Sequence, residues 1–253
     1  SQSQPTTHQT PPPTMIISHR HKFIFLKTVK TGGTSVEIAL SRYCGAEDVV
    51  TPISPEDEPI RREMGIVPRN YLAPRAAYDF ADYYRLLMQS EEKKLYWNHI
   101  TAGEIRERIG DEIWNSYFKF TVERNPWDKT VSDYYWRASR GGPQSFRAYF
   151  RKYRGRFKHF NFPRYSIEGH PAVDAIIRYE HLIDDLTSAL QRVGIAFDGS
   201  LPRAKGTSRK DRRHYSELLT PAQQQTIAEH FRPEIELLGY ELESAPPAER
   251  AAA

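Results

Sequence analysis

An apolar run that passes directly into a double glycine constrains this chain more than any other feature. Residues 23–26 read Phe-Ile-Phe-Leu, and Lys27-Thr28-Val29-Lys30-Thr31-Gly32-Gly33-Thr34-Ser35 lead on to Val36 and Glu37. A short buried strand that turns through such a segment into a helix forms an anion cradle. Adjacent glycines let the backbone close around an anion, successive N–H groups point inward, and the first helical turn adds the positive end of its dipole. The place of the lysine matters as much as its presence. A Walker A loop carries lysine after its second glycine and just before Ser/Thr, whereas Lys30 precedes Gly32-Gly33 and no second lysine follows. The turn is therefore not an ATPase loop of that type.

A second strand-to-helix junction lies further along. Tyr117-Phe118-Lys119-Phe120-Thr121-Val122-Glu123 reads as a strand, and Arg124-Asn125-Pro126-Trp127-Asp128-Lys129-Thr130-Val131-Ser132-Asp133-Tyr134 turns it into a helix. Pro126 suits the first helical turn, where its missing N–H costs nothing. Arg124 stands at the strand end and Ser132 about two turns into the helix, so both can face one cleft.

Together the two junctions resemble the sulfotransferases. In that family the 5′-phosphosulfate loop reads approximately Pro-Lys-Thr-Gly-Gly-Thr-Ser. Its 3′-phosphate motif is Arg-Asn-Pro, then an aromatic, an acidic and a basic residue, then Ser-x-Tyr. Val29 stands where many members carry proline, and Lys27 where many carry histidine. The similarity runs from about Lys22 to Tyr240 and is nearest to the glycan-modifying, Golgi-type members. It implies an α/β, P-loop-like three-layer fold with a central, mainly parallel sheet flanked by helices. It implies 3′-phosphoadenosine 5′-phosphosulfate (PAPS) as co-substrate. Lys30, Thr31, Gly32, Gly33, Thr34 and Ser35 would then hold the phosphosulfate, with Arg124 and Ser132 on the 3′-phosphate. Arginine supplies a planar fork suited to phosphate oxygens. The implied reaction moves the sulfuryl group to a hydroxyl of a carbohydrate or small-metabolite acceptor.

Sulfuryl transfer is an in-line displacement that needs a deprotonated hydroxyl and neutralisation of the charge growing on the leaving phosphate. Lys30 is assigned to the bridging and leaving oxygens, and no metal is required. The family's glycan-modifying members use a histidine or glutamate between the nucleotide motifs, and His99, in Trp97-Asn98-His99-Ile100-Thr101, is the histidine there. Histidine as a residue type titrates near neutrality, so His99 can act as base, or it can simply pack at the start of a helix. Glu37 and Asp133 are fallback bases. Lys27 contacts sulfate or an acidic substrate, or else pairs with a neighbouring carboxylate. The late basic loop with Lys205, Gly206, Arg209 and Arg213 is similar in position and charge to one that closes over the nucleotide's 3′ end; the alternative is a solvated face. The basic aromatic stretch from Tyr149 to Tyr165 either lines an acceptor cleft or forms a solvated helix.

Two other classes stay open. A kinase-like phosphoryl transferase needs a magnesium-holding carboxylate at a strand end, where Arg124 has the wrong sign. A nonenzymatic nucleotide- or polyanion-binding module would bind without transferring. The 253 residues suit one domain, expected over 15–245 with flexible tails at 1–14 and 246–253. A formal charge of +4 favours anionic ligands. Nucleic acid is not expected, because zinc-finger spacing, an RNP-type strand and a long basic run are all missing. Cys44 is the only cysteine, so no intrachain disulfide forms, which suits a reducing cytoplasm. The Golgi lumen, with an anchor removed, is the alternative, since no apolar stretch has membrane-spanning length.

Strands alternating with helices predict a parallel sheet with ligands at the carboxyl ends of its strands. Residues 48–53 and 175–180 read as further strands, and 76–92, 101–109 and 181–193 as helices. Thr101 and Glu104 form a capping box, and Gly110 stops that helix. The Pro-rich, charged segment 51–75 reads as a long irregular excursion, either a substrate-facing lid or a surface insertion.

Overall fold

The computed structural model describes residues 15–97, 99–202, 209, 211 and 213–243. Its first strands are β1 (Ile16–Ser18) and β2 (Phe23–Leu26), which pair antiparallel, and β2 runs through the Gly-rich turn into α1 (Gly33–Ser41). Next come β3 (Val49–Val50), α2 (Glu58–Glu63), α3 (Phe80–Gln89) and α4 (Ala102–Ser116). The second junction follows as β4 (Phe118–Glu123) and α5 (Pro126–Ala138). After α6 (Phe146–Tyr153) and α7 (Phe162–Tyr165), a small hairpin of β5 (Ser166–Ile167) and β6 (His170–Pro171) precedes β7 (Ala175–Arg178). The chain closes with α8 (Leu182–Gln191), α9 (Tyr215–Leu218), α10 (Pro221–His230) and α11 (Arg232–Leu238).

The main sheet has the order β3-β1-β2-β4-β7. β2 pairs parallel with β4, and β4 with β7, while β1 runs against its neighbours on both sides. The sheet is therefore mostly parallel, as the strand-helix alternation predicts. Side chains alternate across it. Phe23 and Phe25 pack with Val36 and Leu40 of α1 and with Leu186 and Leu190 of α8. Ile24 and Leu26 pack on the opposite face with Ile105 and Trp114 of α4. Helices thus cover both faces, which is why β2 is apolar at every position. Each such fully buried side chain contributes about 1.5–3 kcal/mol.

A third cluster joins Trp127, Val131 and Tyr134 of α5 to Tyr149 and Phe150 of α6, Phe157, Ile227 and Phe231. It takes in part of the 149–165 stretch. Its aromatic residues Tyr149, Phe150, Phe157 and Tyr165 are core, and Arg151, Lys152, Arg154, Arg156 and Lys158 are exposed.

Several elements differ from expectation. β1 fills the place between β2 and β3 that the sequence reading left empty. The predicted helix over 76–92 is confined to α3, with Asp79 and Asp82 forming its capping box. The Thr101–Glu104 box is present, and Gly110 breaks α4 with φ 80° and ψ 160° before a last turn to Ser116. The 51–75 excursion is not wholly irregular. It holds α2, and the guanidinium of Arg61, fully buried, donates to the Thr51 carbonyl and to Glu58 and lies 3.9 Å from Glu37 of α1. The segments 1–14 and 246–253 fall outside the described residues. No helix among the described residues is long and apolar enough to cross a membrane.

Candidate functional site

β2 and β4 are hydrogen-bonded neighbours, with Leu26 opposite Thr121, so the two predicted motifs leave the sheet side by side, about 4.8 Å apart at their roots. The junction is stitched by side chains: the Thr121 hydroxyl donates to the Leu26 carbonyl over 2.7 Å, and the Thr28 hydroxyl to the Val122 carbonyl. Thr28 and Thr31 hydroxyls lie 2.8 Å apart inside the turn.

The turn bends through two left-handed residues, Lys30 at φ 66° and Gly32 at φ 74°. Gly32 is the N-cap of α1 and no side chain caps this helix end. A Cβ on Gly33 would lie 2.8 Å from Lys27 Cγ, and one on Gly32 would lie 2.8 Å from the ring of Tyr179. Backbone alone thus fits here, as a close approach to a ligand requires.

Lys30 reaches α5, with Nζ 4.9 Å from the centre of the Trp136 ring. Ser132, half-buried, sits one turn before Trp136 on the same helix face, so the loop lysine and the motif serine share one side of the site. Arg124 lies over the Tyr179 ring, 4.1 Å from its centre, and its Nε and Nη2 donate to Asp128 Oδ2 over 2.8 and 2.5 Å. Arg209 donates to the other oxygen of Asp128 over 2.7 Å. The late basic loop therefore meets the Arg124 motif through one shared carboxylate. Arg213 instead pairs with Asp211 and is exposed, and Lys205 and Gly206 lie outside the described residues.

Lys27 forms a buried ion pair with Glu37, 3.2 Å apart, the alternative raised above for this lysine. Glu37 is thereby held between Lys27 and Arg61. Asp133 is buried and accepts from Arg137 and from the Tyr149 hydroxyl, over 2.5 and 2.8 Å. Both fallback bases are thus committed to structural contacts.

His99 stands where the strand ends: its Nδ1 lies 3.1 Å from the Lys27 carbonyl, and its backbone is left-handed at φ 54°. A carbonyl only accepts, so Nδ1 carries the proton and Nε2 becomes the basic atom. A second histidine, His159, is fully buried beside Asp133 and Thr130. Burial pushes its imidazole down to about 3, outweighing the pull of Asp133, which keeps it neutral at physiological pH.

Sequence reasoning missed the groups beneath this surface. Lys129, wholly buried, donates to Glu123 over 2.7 Å and to Glu234 over 2.5 Å. Burial first, then Glu234, pushes the Glu123 carboxyl above its ordinary range, against the pull of Lys129. Asn161, also wholly buried, bonds both backbone groups of Val29. Nothing in the sequence marked Lys129 as buried rather than solvated on α5. Glu234 lies 105 residues from Lys129 and was equally unmarked.

No family model matches the chain, and no solved structure matches it. It is similar to an uncharacterized protein of Archaeoglobus fulgidus, with 35% identity over 99 residues that make up 37% of this chain and 82% of that protein. With that identity across most of the archaeal protein's length, the chain belongs to the same family as this Archaeoglobus fulgidus protein.

Proposed function

We propose that this chain is a PAPS-dependent sulfotransferase of P-loop-like fold that moves a sulfuryl group to a hydroxyl of a carbohydrate or small-metabolite acceptor. One observation carries the reading. The Gly-rich turn and the Arg124–Ser132 motif leave the carboxyl ends of two paired parallel strands, with Lys30 against the Ser132 side of α5. A ligand with phosphates on the 5′ and 3′ sides of one ribose would span two such neighbouring anion sites. The amino end of α1, which no side chain caps, and the Gly32-Gly33 backbone suit the 5′ group.

Bound there, the donor would supply an electrophilic sulfur and a phosphate leaving group. Lys30 and the first N–H groups of α1 would hold the charge that develops on that phosphate. Arg124, lying over the Tyr179 ring, and Ser132 would grip the 3′-phosphate. His99, its Nδ1–H anchored on the Lys27 carbonyl, would take the acceptor's hydroxyl proton at Nε2. A surface cleft of about 430 Å³ bordered by Asp82, Lys93, Lys94 and Trp97 opens just before His99 in sequence. Its mixed charges and indole suit a polyhydroxyl acceptor. The single, half-buried thiol of Cys44 fits a reducing compartment, and we assign the activity to the cytoplasm.

Calorimetry of adenosine 3′,5′-bisphosphate against ATP, on wild type and Arg124→Ala, tests the reading. The bisphosphate should bind more tightly, and the substitution should weaken it about 10–100-fold, the worth of a charged hydrogen-bonded contact. Tighter binding of ATP to the wild type would overturn the proposal.

A further inference from the structure

We infer that Asn161 is a positioning residue for the anion loop. The inference rests on the donor reading above. Asn161 lies 132 residues from Val29, yet its Oδ1 accepts from the Val29 N–H over 2.9 Å and its Nδ2 donates to the Val29 carbonyl over 3.1 Å. The carboxamide therefore pairs with this backbone as a neighbouring strand would. Its second Nδ2 hydrogen points to Glu123 Oε1 at 3.3 Å, which uses both amide donors.

The residue so held matters. Val29 directly precedes Lys30, whose left-handed backbone at φ 66° is unfavourable for a non-glycine residue. The loop does not keep this shape by local preference, and such strain persists only where surrounding structure imposes it. Asn161 supplies that imposition, and it is itself fixed. Glu234 Oε1 accepts from the backbone N–H groups of Asn161 and Phe162, over 2.5 and 3.0 Å, and Oε2 accepts from Lys129. Lys129 also reaches Glu123, whose Oε1 accepts the Arg124 N–H over 2.9 Å. One buried cluster thus underlies the turn after β2, the turn after β4 and helix α11. Within it, Asn161 is the residue hydrogen-bonded to the anion loop.

Two probes separate positioning from general stability. Adenosine 5′-monophosphate reports the Lys30 loop, and adenosine 3′-monophosphate reports the Arg124 end. Asn161→Ala should weaken the 5′ probe about tenfold, as expected for lost buried hydrogen bonds, and leave the 3′ probe within about twofold. Asn161→Asp keeps the acceptor but sets a carboxylate against the Val29 carbonyl and Glu123. Its affinity for the 5′ probe should fall at alkaline pH and recover as acidification restores a donor, whereas wild type lacks that recovery. Equal weakening of both probes, no weakening, or a pH-independent deficit in Asn161→Asp would overturn the inference. If Asn161→Ala fails to fold, Asn161→Asp carries the test alone. Wild-type protein that binds neither probe would remove the donor reading and this inference with it. Wild-type protein that binds both, with unaltered variants, would remove the inference alone.

Discussion

Gly32→Ala probes how tightly the two anion motifs are locked together. Gly32 has φ 74°, where an alanine costs about 1–2 kcal/mol. The added methyl would also lie 2.8 Å from Tyr179 Cε2 and 3.2 Å from Cδ2. Tyr179 is also held by Arg124, whose guanidinium lies over the ring, 4.1 Å from its centre. Overpacking of this kind adds about 1–3 kcal/mol, for a total of roughly 2–5 kcal/mol. Urea unfolding at constant m measures the cost directly. A double-mutant cycle with Tyr179→Ala divides it, since removing the ring should return the steric part, about 1–3 kcal/mol, and leave the backbone part. Displacing the ring also moves Arg124, so Gly32→Ala should weaken adenosine 3′-monophosphate as well as the 5′ isomer. A loss below about 1 kcal/mol, or a cycle without coupling, would refute the steric reasoning.

Three further outcomes follow from the geometry. Lys129→Met should cost about 3–5 kcal/mol in urea unfolding, because it removes the buried cation that Glu234 and Glu123 share, and a loss near zero would show that the pair is not ionised in the core. A carboxyl whose folded pKa is raised stabilises the fold in full below its ordinary value and loses that contribution as pH climbs through the folded value. Since Glu123 is raised to about 8, the urea midpoint should fall from mildly acidic pH up to about that value and then level off, and Glu123→Gln should flatten that fall; a parallel decline in both proteins would exclude Glu123 as its source. His99→Ala should abolish sulfuryl transfer while bisphosphate affinity stays within about twofold of wild type, and full residual turnover would remove His99 as base.

The features legible in the sequence were local ones. The Phe23–Leu26 strand with its glycines, the Asn125-Pro126 helix start and the Thr101–Glu104 box each declare themselves within a few residues, because turn and cap chemistry is short-range. β1 escaped because it is three residues long and is followed at once by the charged segment 19–22. Its identity as a strand comes from pairing with β2 and β3 on both edges, which local pattern does not encode. The excursion over 51–75 read as irregular from its prolines, but the buried Arg61 ties it to Thr51 and to α1. Charged residues are read as exposed by default, so a sequence hides ion pairs such as Lys129 with Glu234. In the candidate site, residue types and order were visible at positions 30 and 124. The groups that hold them, Asn161 and Tyr179, come from distant parts of the chain.

Asp128 gives the Arg124 end a particular character. It already satisfies Arg124 and Arg209 with both of its oxygens. A phosphate arriving there enters an exchange with an internal anion rather than an empty cation pair. Its affinity is the difference between two strong attractions, so it is held less tightly than two bare arginines would hold it. Departure is correspondingly eased, because Asp128 takes back the guanidiniums as the phosphate withdraws. Under the proposed function, in which a spent nucleotide leaves in every cycle, a built-in competitor of this kind favours turnover over tight binding.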